Sequence, residues 1–592
     1  MGGEGGVEIL KVPVKPRLPS YARRWILLDV LGCVVGVLGG LGAVLFRLMI
    51  SINRMLFFDT ILPHISLNFG ETNLGMILLP ALGGLIIGPI ITRLAPETKG
   101  HGVPEVMEAA TLRGGRIRKR VAFLKVIVSS ITIGSGGSAG REGPIAQIGA
   151  TLGSIMGQLF KLDARSMRLL VVCGLAAGIA GTFNAPLGGA LFGLEILYRG
   201  IGLFNAMPVI LSSVIGATVA SVFLGRKPAF NPEGVTTWTP QELPLYLLLG
   251  VVFGILSIIW VKVFYAVENF FEKLNASPQL KPAIGGLIVG LIGVFYAGYG
   301  IMGVGYEGID LVLAGKLTLT LLIVLGLLKM LATSFTIGSG GSGGIFAPSL
   351  YIGSMFGGAL GILFHTMFPS IVTQPATYAL AGMAALFAGA AQAPINVIIM
   401  IPEMSGTFTL IPPIMASSTM SFFIAWLILR GSSIYTIKLE RRGIRLRMSR
   451  SFILDSIKVE EVMNRNVVTL SPEMPVPALE TLFEEYHHTG YPVVKDGKLI
   501  GIVTISDVQK IPPEKRDKLK IRDIASRKLV VTYPDETVHQ ALDKMYVKDV
   551  GRLPVVDRRD PTKILGIISK HDILKAFELA ERREAEEPSE GV

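Results

Sequence analysis

Glu142 is a carboxylate set in the run Gly140-Arg141-Glu142-Gly143-Pro144, within a long stretch of chain that carries few charges. An ionisable side chain in such surroundings is costly unless it is paired or functional. Proline is favoured at the first position of a helix, where its missing N–H leaves no bond unmade. Arg141, Glu142 and Gly143, just ahead of Pro144, then present free backbone N–H groups at a helix N-terminus. Such a terminus binds anions through its donors and its dipole. The arrangement returns at Gly344–Pro348, where Ile345, Phe346 and Ala347 offer the N–H groups. The Glu142 carboxylate competes with a dissolved anion for these donors, and protonation releases it, so one residue can be both gate and proton acceptor. The plain structural alternatives are a helix-capping carboxylate and close packing at glycine.

Both runs belong to an internal repeat. Residues 130–144 (SITIGSGGSAGREGP) and 334–348 (SFTIGSGGSGGIFAP) are identical at ten of fifteen positions, at an offset of 204. Residues 180–195 align with 388–403 at an offset of 208, matching Ala180, Gly181, Ala185, Pro186 and Glu195 to Ala388, Gly389, Ala393, Pro394 and Glu403. A duplicated, helix-interrupting motif places a polar site between two related halves of a membrane domain. The halves divide near residues 225–245.

The elements that must hold this site are apolar. Half of the residues are hydrophobic and 17% are charged, below the share in soluble domains. Runs at 26–50, 75–95, 203–225, 243–264, 282–299, 316–335, 351–368, 376–401 and 408–430 are nearly free of charge, and most are long enough to cross or nearly cross a bilayer. Pro80, Pro89, Pro208 and Pro412–Pro413 interrupt them. The expected fold is an α-helical polytopic membrane domain with two inverted repeats of broken and tilted helices, since unwound backbone at membrane depth must be covered by protein or line a cavity. Lys11, Lys15, Arg17, Arg23 and Arg24 precede the first span, which reads as a retained helix, and Lys438, Arg441, Arg442, Arg445, Arg447 and Arg450 follow the last. Both flanks place the termini in the cytoplasm of a multi-pass cell-membrane protein. They also account for the net charge of +12, through topology and lipid headgroups and not nucleic acid. Cys33 and Cys173 lie in apolar runs, which supports neither a disulfide framework nor a zinc site.

Near residue 450 the composition turns polar and a second repeat begins. YPVVKDGKLIGIVTISDV (491–508) is echoed by LPVVDRRDPTKILGIISKHDI (553–573), each copy reading strand, turn, strand, helix. Two such units of about sixty residues suit a paired α/β module, because one sheet alone leaves an apolar face uncovered.

GREGP and GIFAP at this spacing, with GHGVPEV upstream and a tyrosine in GSSIYTI downstream, resemble the CLC family of chloride channels and chloride/proton exchangers over roughly residues 20–440. The tail resembles a tandem pair of CBS domains. The resemblance implies a homodimer with a separate anion pathway in each subunit. It also implies Glu142 as the gating glutamate, Arg141, Glu142 and Gly143 as donors to an outer anion position, Ile345, Phe346 and Ala347 around a central one, and Tyr435 closing that position from inside. Two departures stand out. Where the family usually has serine in its first motif, this chain has His101, between Gly100 and Gly102; either the imidazole or a backbone N–H such as that of Gly102 serves the anion. Where exchangers usually offer an internal proton acceptor the chain has Ile196, preceded by Glu195, which favours channel-like or weakly coupled conduction over antiport through a water path.

In the tail, Thr504 with Asp507 and Ser569 with Asp572 match the CBS hydroxyl–carboxylate pattern, which implies contacts to the phosphate and ribose of ATP, ADP or AMP. Thr469, His488, Thr489 and Tyr491 would line the rest of that site; a purely structural CBS pair is the alternative. The expected organisation is an N-terminal segment 1–25, a membrane domain 26–437, a basic linker 438–455, CBS domains over 456–580 (repeats at 456–512 and 519–578) and a charged tail 581–592. Chloride is the expected substrate, adenine nucleotide the regulatory ligand, and no cofactor is required. A CBS-bearing divalent-cation transporter would need carboxylates clustered in the spans, where Asp29, Glu195 and Glu403 are the candidates. A CBS-regulated enzyme would need a nucleophile–base pair or metal cluster, and neither is evident.

Overall fold

The computed structural model describes residues 20–70, 72–198, 203–226, 228–230, 232, 237–442, 454, 457–486, 488–548 and 550–576. The segment 1–19, Arg445, Arg447, Arg450 and the tail 581–592 lie outside the described residues. The chain divides into two compact units, Met1–Leu446 and Arg447–Val592.

The first unit is helical. Helix α1 (Ser20–Arg54) leads to α2 (Leu78–Arg93), α3 (Val103–Leu112), α4 (Arg120–Gly134), α5 (Glu142–Leu159), α6 (Ala164–Phe183), α7 (Pro186–Phe192) and α8 (Leu203–Leu224). The second half runs α9 (Leu243–Lys273), α10 (Lys281–Gly293), α11 (Tyr306–Leu313), α12 (Leu319–Gly338), α13 (Phe346–Met367), α14 (Ala376–Ala391), α15 (Pro394–Ser405), α16 (Ile411–Leu429) and α17 (Thr436–Arg441). Among the described residues, eight helices are long and apolar enough to cross a membrane. At 35 residues, α1 is about 50 Å long, more than a bilayer needs, and so must tilt. Val30, Leu45, Leu48 and Val222 are exposed along the spans, as suits a lipid-facing surface.

Three expectations change. The run 376–401 is two helices, because Gln392 turns left-handed and Pro394 keeps Ala393 out of the helical region. Asn184 breaks α6 from α7 in the same way. Helix α6 is absent from the expected runs, yet its apolar stretch Ser166–Phe183 is 94% buried; its Gly and Ala allow close packing on every side. Pro144 and Pro348 take the third position of α5 and α13, not the first. The bond count is unaltered, since the first four N–H groups of a helix lack intrahelical partners.

The two halves are related by a local two-fold, and reciprocal bonds mark it. Gly140 N–H donates to Gly344 O at 2.7 Å and Gly344 N–H to Gly140 O at 2.6 Å, an antiparallel bridge between repeat mates. Ser138 N–H donates to Thr336 Oγ1 (2.9 Å) and Ser342 N–H to Thr132 Oγ1 (3.4 Å). Segments that pair antiparallel with their own equivalents run in opposite senses, which makes the repeats inverted.

In the second unit, α18 (Val476–Tyr486), strands β1 (Gly490–Lys495) and β2 (Lys498–Thr504) and the short α19 (Ile505–Gln509) form one repeat. Helix α20 (Val538–Val547) and strands β3 (Arg552–Val556) and β4 (Ile564–Ser569) form the other. Each hairpin is antiparallel, with a register shift before its turn. Separate cores gather around Val493 and Val503 and around Val555 and Ile568.

Candidate anion pathway and nucleotide cleft

The Gly140–Gly344 bridge brings the starts of α5 and α13 together, and Glu142 sits between them, 1% exposed. Its Oε2 accepts from Ala347 N–H at 3.3 Å, and its own N–H and that of Arg141 lie within bonding reach. Oε1 is buried without a partner. The carboxylate therefore occupies donors of both helix starts while leaving one oxygen unmatched. A Cβ on Gly143 would lie 2.0 Å from His101 O, so only glycine lets the loop before α3 approach α5.

Below this point lies a chain of rings. Phe346 meets Phe387 at 4.6 Å between centroids, Phe387 meets Tyr435 at 6.3 Å, and Tyr435 meets His101 at 5.5 Å. Ile345, Phe346 and Ala347 are buried, as are His101 and Tyr435. Neither nitrogen of His101 has a hydrogen-bond partner. Tyr435 caps α17 and is fixed there because Ile434 N–H donates to Ala390 O (2.8 Å) and Tyr265 OH to Ile434 O (2.6 Å). Arg141 is placed apart from the carboxylate, with its guanidinium 5.1 Å from the Tyr306 ring and 5.7 Å from that of Phe183.

Glu195 and Glu403 do something different. Glu195 accepts from Ile395 N–H (3.0 Å) and Asn396 N–H (2.6 Å) at the start of α15. Glu403 accepts from Leu187 N–H (3.1 Å) and Gly188 N–H (2.8 Å) at the start of α7. Each carboxylate caps the helix of the opposite half, which commits two of the three acids a cation pathway would have used. Among the described residues no group of three His, Cys, Asp or Glu could hold a metal. Ile196 is buried, 4% exposed.

Two lysines escaped the sequence reading. Lys125 and Lys329 are fully buried. Lys125 Nζ donates to Thr98 O (2.9 Å) and Gly100 O (3.0 Å), securing the loop that carries His101. Lys329 Nζ donates to Gly300 O (2.8 Å), Ile301 O (3.2 Å) and Gly303 O (3.0 Å). Their spacing of 204, equal to the repeat offset, and their position in apolar runs were the available signals.

In the tail, Thr504 Oγ1 donates to Asp507 Oδ2 and Ser569 Oγ to Asp572 Oδ2, both at 2.6 Å. Each pair thus caps the helix after its hairpin. Thr469, His488 and Thr489 are exposed, and the His488 ring lies 5.7 Å from that of Tyr491. Arg552, also missed, joins the repeats: its guanidinium donates to Gly490 O (2.6 Å) and to Thr489 Oγ1, with Asp572 and Tyr491 in electrostatic reach. The structure therefore gathers Thr489, Tyr491, Arg552 and Asp572, with Thr504 beside them as the strand partner of Gly490 and Asp507 in the first turn of α19.

A family model described as voltage gated chloride channel matches residues 83–426, and CBS domain models match 459–514 and 521–579. The chain is 27% identical to chloride channel protein CLC-f of Arabidopsis thaliana over 86% of this chain and 74% of that one. It is 30% identical to the H(+)/Cl(-) exchange transporter ClcA of Yersinia pestis, over 72% and 90% respectively. A slow cyanobacterial Cl-/H+ antiporter of known structure superposes with a TM-score of 0.63 at 27% identity, covering 72% of this chain and 98% of that one. A eukaryotic CLC transporter covers 93% of this chain and 98% of its own, with a TM-score of 0.58 and 20% identity, a likeness of fold.

Proposed function

The chain belongs to the CLC family of voltage-gated chloride channels and their exchanger relatives, and from that premise we propose that Glu142 gates a chloride pathway running between the starts of α5 and α13 to Tyr435. The observation that carries this reading is the Glu142 carboxylate on Ala347 N–H, with its second oxygen unmatched. An anion reaching the same donors must displace the carboxylate, and a proton makes displacement easier because a neutral acid is a weaker acceptor. Chloride efflux from proteoliposomes tests it. Glu142→Gln should abolish the pH dependence and keep or raise the flux; a variant with the parental pH profile would put the gate elsewhere.

The residue at Ile196 favours channel-like or weakly coupled conduction, since an aliphatic side chain holds no proton. The second reading is antiport, supported by the exchangers among the similar proteins. Regulation falls to the CBS pair. Adenine nucleotide seats between Thr489 and Asp572, with Thr469, His488, Tyr491 and Ser569 around it and Arg552 facing its phosphates. Two chains form a homodimer in the cell membrane with both termini in the cytoplasm, each chain carrying its own pathway.

A further inference from the structure

His101 is the one imidazole of the pathway, and its setting is unusual. A buried polar group normally has a hydrogen-bond partner, yet both of its ring nitrogens have none although the side chain is 2% exposed. Its ring is held by packing alone, edge-on to Phe264 at 5.9 Å and tilted on Tyr435 at 5.5 Å. The backbone beneath it is fixed on two sides, by Lys125 through Gly100 O and by the contact of its own carbonyl with Gly143. The imidazole thus packs beside the Tyr435 ring with no protein acceptor for its N–H.

The charges facing His101 are of one net sign. Lys125 acts on it from α4, and Lys438 and Arg442 act from α17 and its end. Glu105, on α3, is held by Lys438 at 3.1 Å and by Arg442 at 3.0 Å. Tyr435 faces it as a neutral phenol, and Glu142 stands at the far end of the ring chain. A proton added to the empty site meets three cations and no free anion. A chloride beside the ring reverses that balance, because it supplies the acceptor the N–H groups lack and a charge to offset the imidazolium. Gln147, whose buried Oε1 lies against Gly102, is also among the residues lining a cavity of about 180 Å³ shared with Glu97, Glu105 and Arg442.

We propose that His101 takes up a proton together with the anion, so that chloride and proton bind the inner part of the pathway as a linked pair. The proposal rests on the pathway reading above and adds to it a titratable group on the Tyr435 side of Glu142, where Ile196 offers none. Linkage is reciprocal: if chloride raises the proton affinity of His101, protons raise chloride affinity by the same factor. With one proton per anion, affinity rises by up to tenfold for each unit the pH falls, within the range of about 5 to 8 where imidazole titrates.

The test is calorimetric titration of the full-length Glu142→Gln protein with sodium chloride, repeated in buffers of different ionisation enthalpy so that proton uptake is read directly. Uptake approaching one proton per chloride, with affinity falling as pH rises, is expected. His101→Asn in the same background keeps an amide donor but cannot hold a proton, and should bind chloride more weakly with no uptake and a flat pH profile. His101→Ser is the second variant should the asparagine fail to fold. Chloride binding without proton uptake when His101 is present overturns the proposal, as does uptake that survives its replacement. Absence of chloride binding by Glu142→Gln itself overturns the pathway reading, a separate failure.

Discussion

At the residue scale, three glutamates in apolar surroundings are bonded differently. Glu195 and Glu403 each accept two N–H bonds, one on each oxygen, whereas Glu142 leaves one oxygen unmatched. The buried lysines bond to loop carbonyls. Removing either ammonium leaves carbonyls unpaired inside the protein, so Lys125→Met and Lys329→Met should each cost about 2–3 kcal/mol, read as a lowered melting temperature in detergent. Since the two are repeat mates, losses of similar size are expected; unchanged melting for either would mean its carbonyls find other donors.

At the element scale, the fold distinguishes four helix N-termini. Those of α7 and α15 are closed by carboxylates reaching across from the opposite half, and those of α5 and α13 share a single one. Glu195→Gln or Glu403→Gln keeps an acceptor oxygen but loses charge at a helix dipole, a cost of about 0.5–2 kcal/mol. Melting should fall while chloride efflux keeps its pH profile. A variant that melts normally but loses transport would place that carboxylate in the pathway. The starts of α5 and α13 were legible from the repeat, because GREGP and GIFAP each carry the glycine and proline that flank a helix start. The break inside 376–401 was not, since Gln392 is an ordinary residue whose left-handed conformation depends on the packing of α14 and α15.

At the scale of the whole molecule, the helical domain and the tail are separate compact units. ATP should bind the full-length protein, with Asp572→Ala and Arg552→Ala each weakening it by about tenfold or more, as loss of a charge-assisted bond implies. Affinity unchanged by either substitution would place the nucleotide on other residues, and no binding of ATP, ADP or AMP by the parent would leave the CBS pair as a structural module. Proton coupling is the other global property. Ile196→Glu places a carboxylate at the buried position where exchangers usually have one. Under opposed chloride and pH gradients its reversal potential should move further from the chloride value than that of the parent; identical potentials would show that this position carries no proton in this chain.

The sequence by itself determined the membrane class, the inverted halves, the paired tail and the identity of the helix starts, because hydropathy, repeat offset and Gly-x-x-x-Pro spacing are local properties of the chain. It could not say which carboxylate has both oxygens bonded and which leaves one unmatched, that Lys125 and Lys329 hold loops, that both nitrogens of His101 lack partners, or that Arg552 bridges to Thr489. Each of those depends on partners brought together by folding, some across about two hundred residues, as Glu195 meets Asn396 and Glu142 meets Ala347. A hydrogen bond is decided by a few tenths of an ångström between such partners, and only the closed tertiary structure sets that distance.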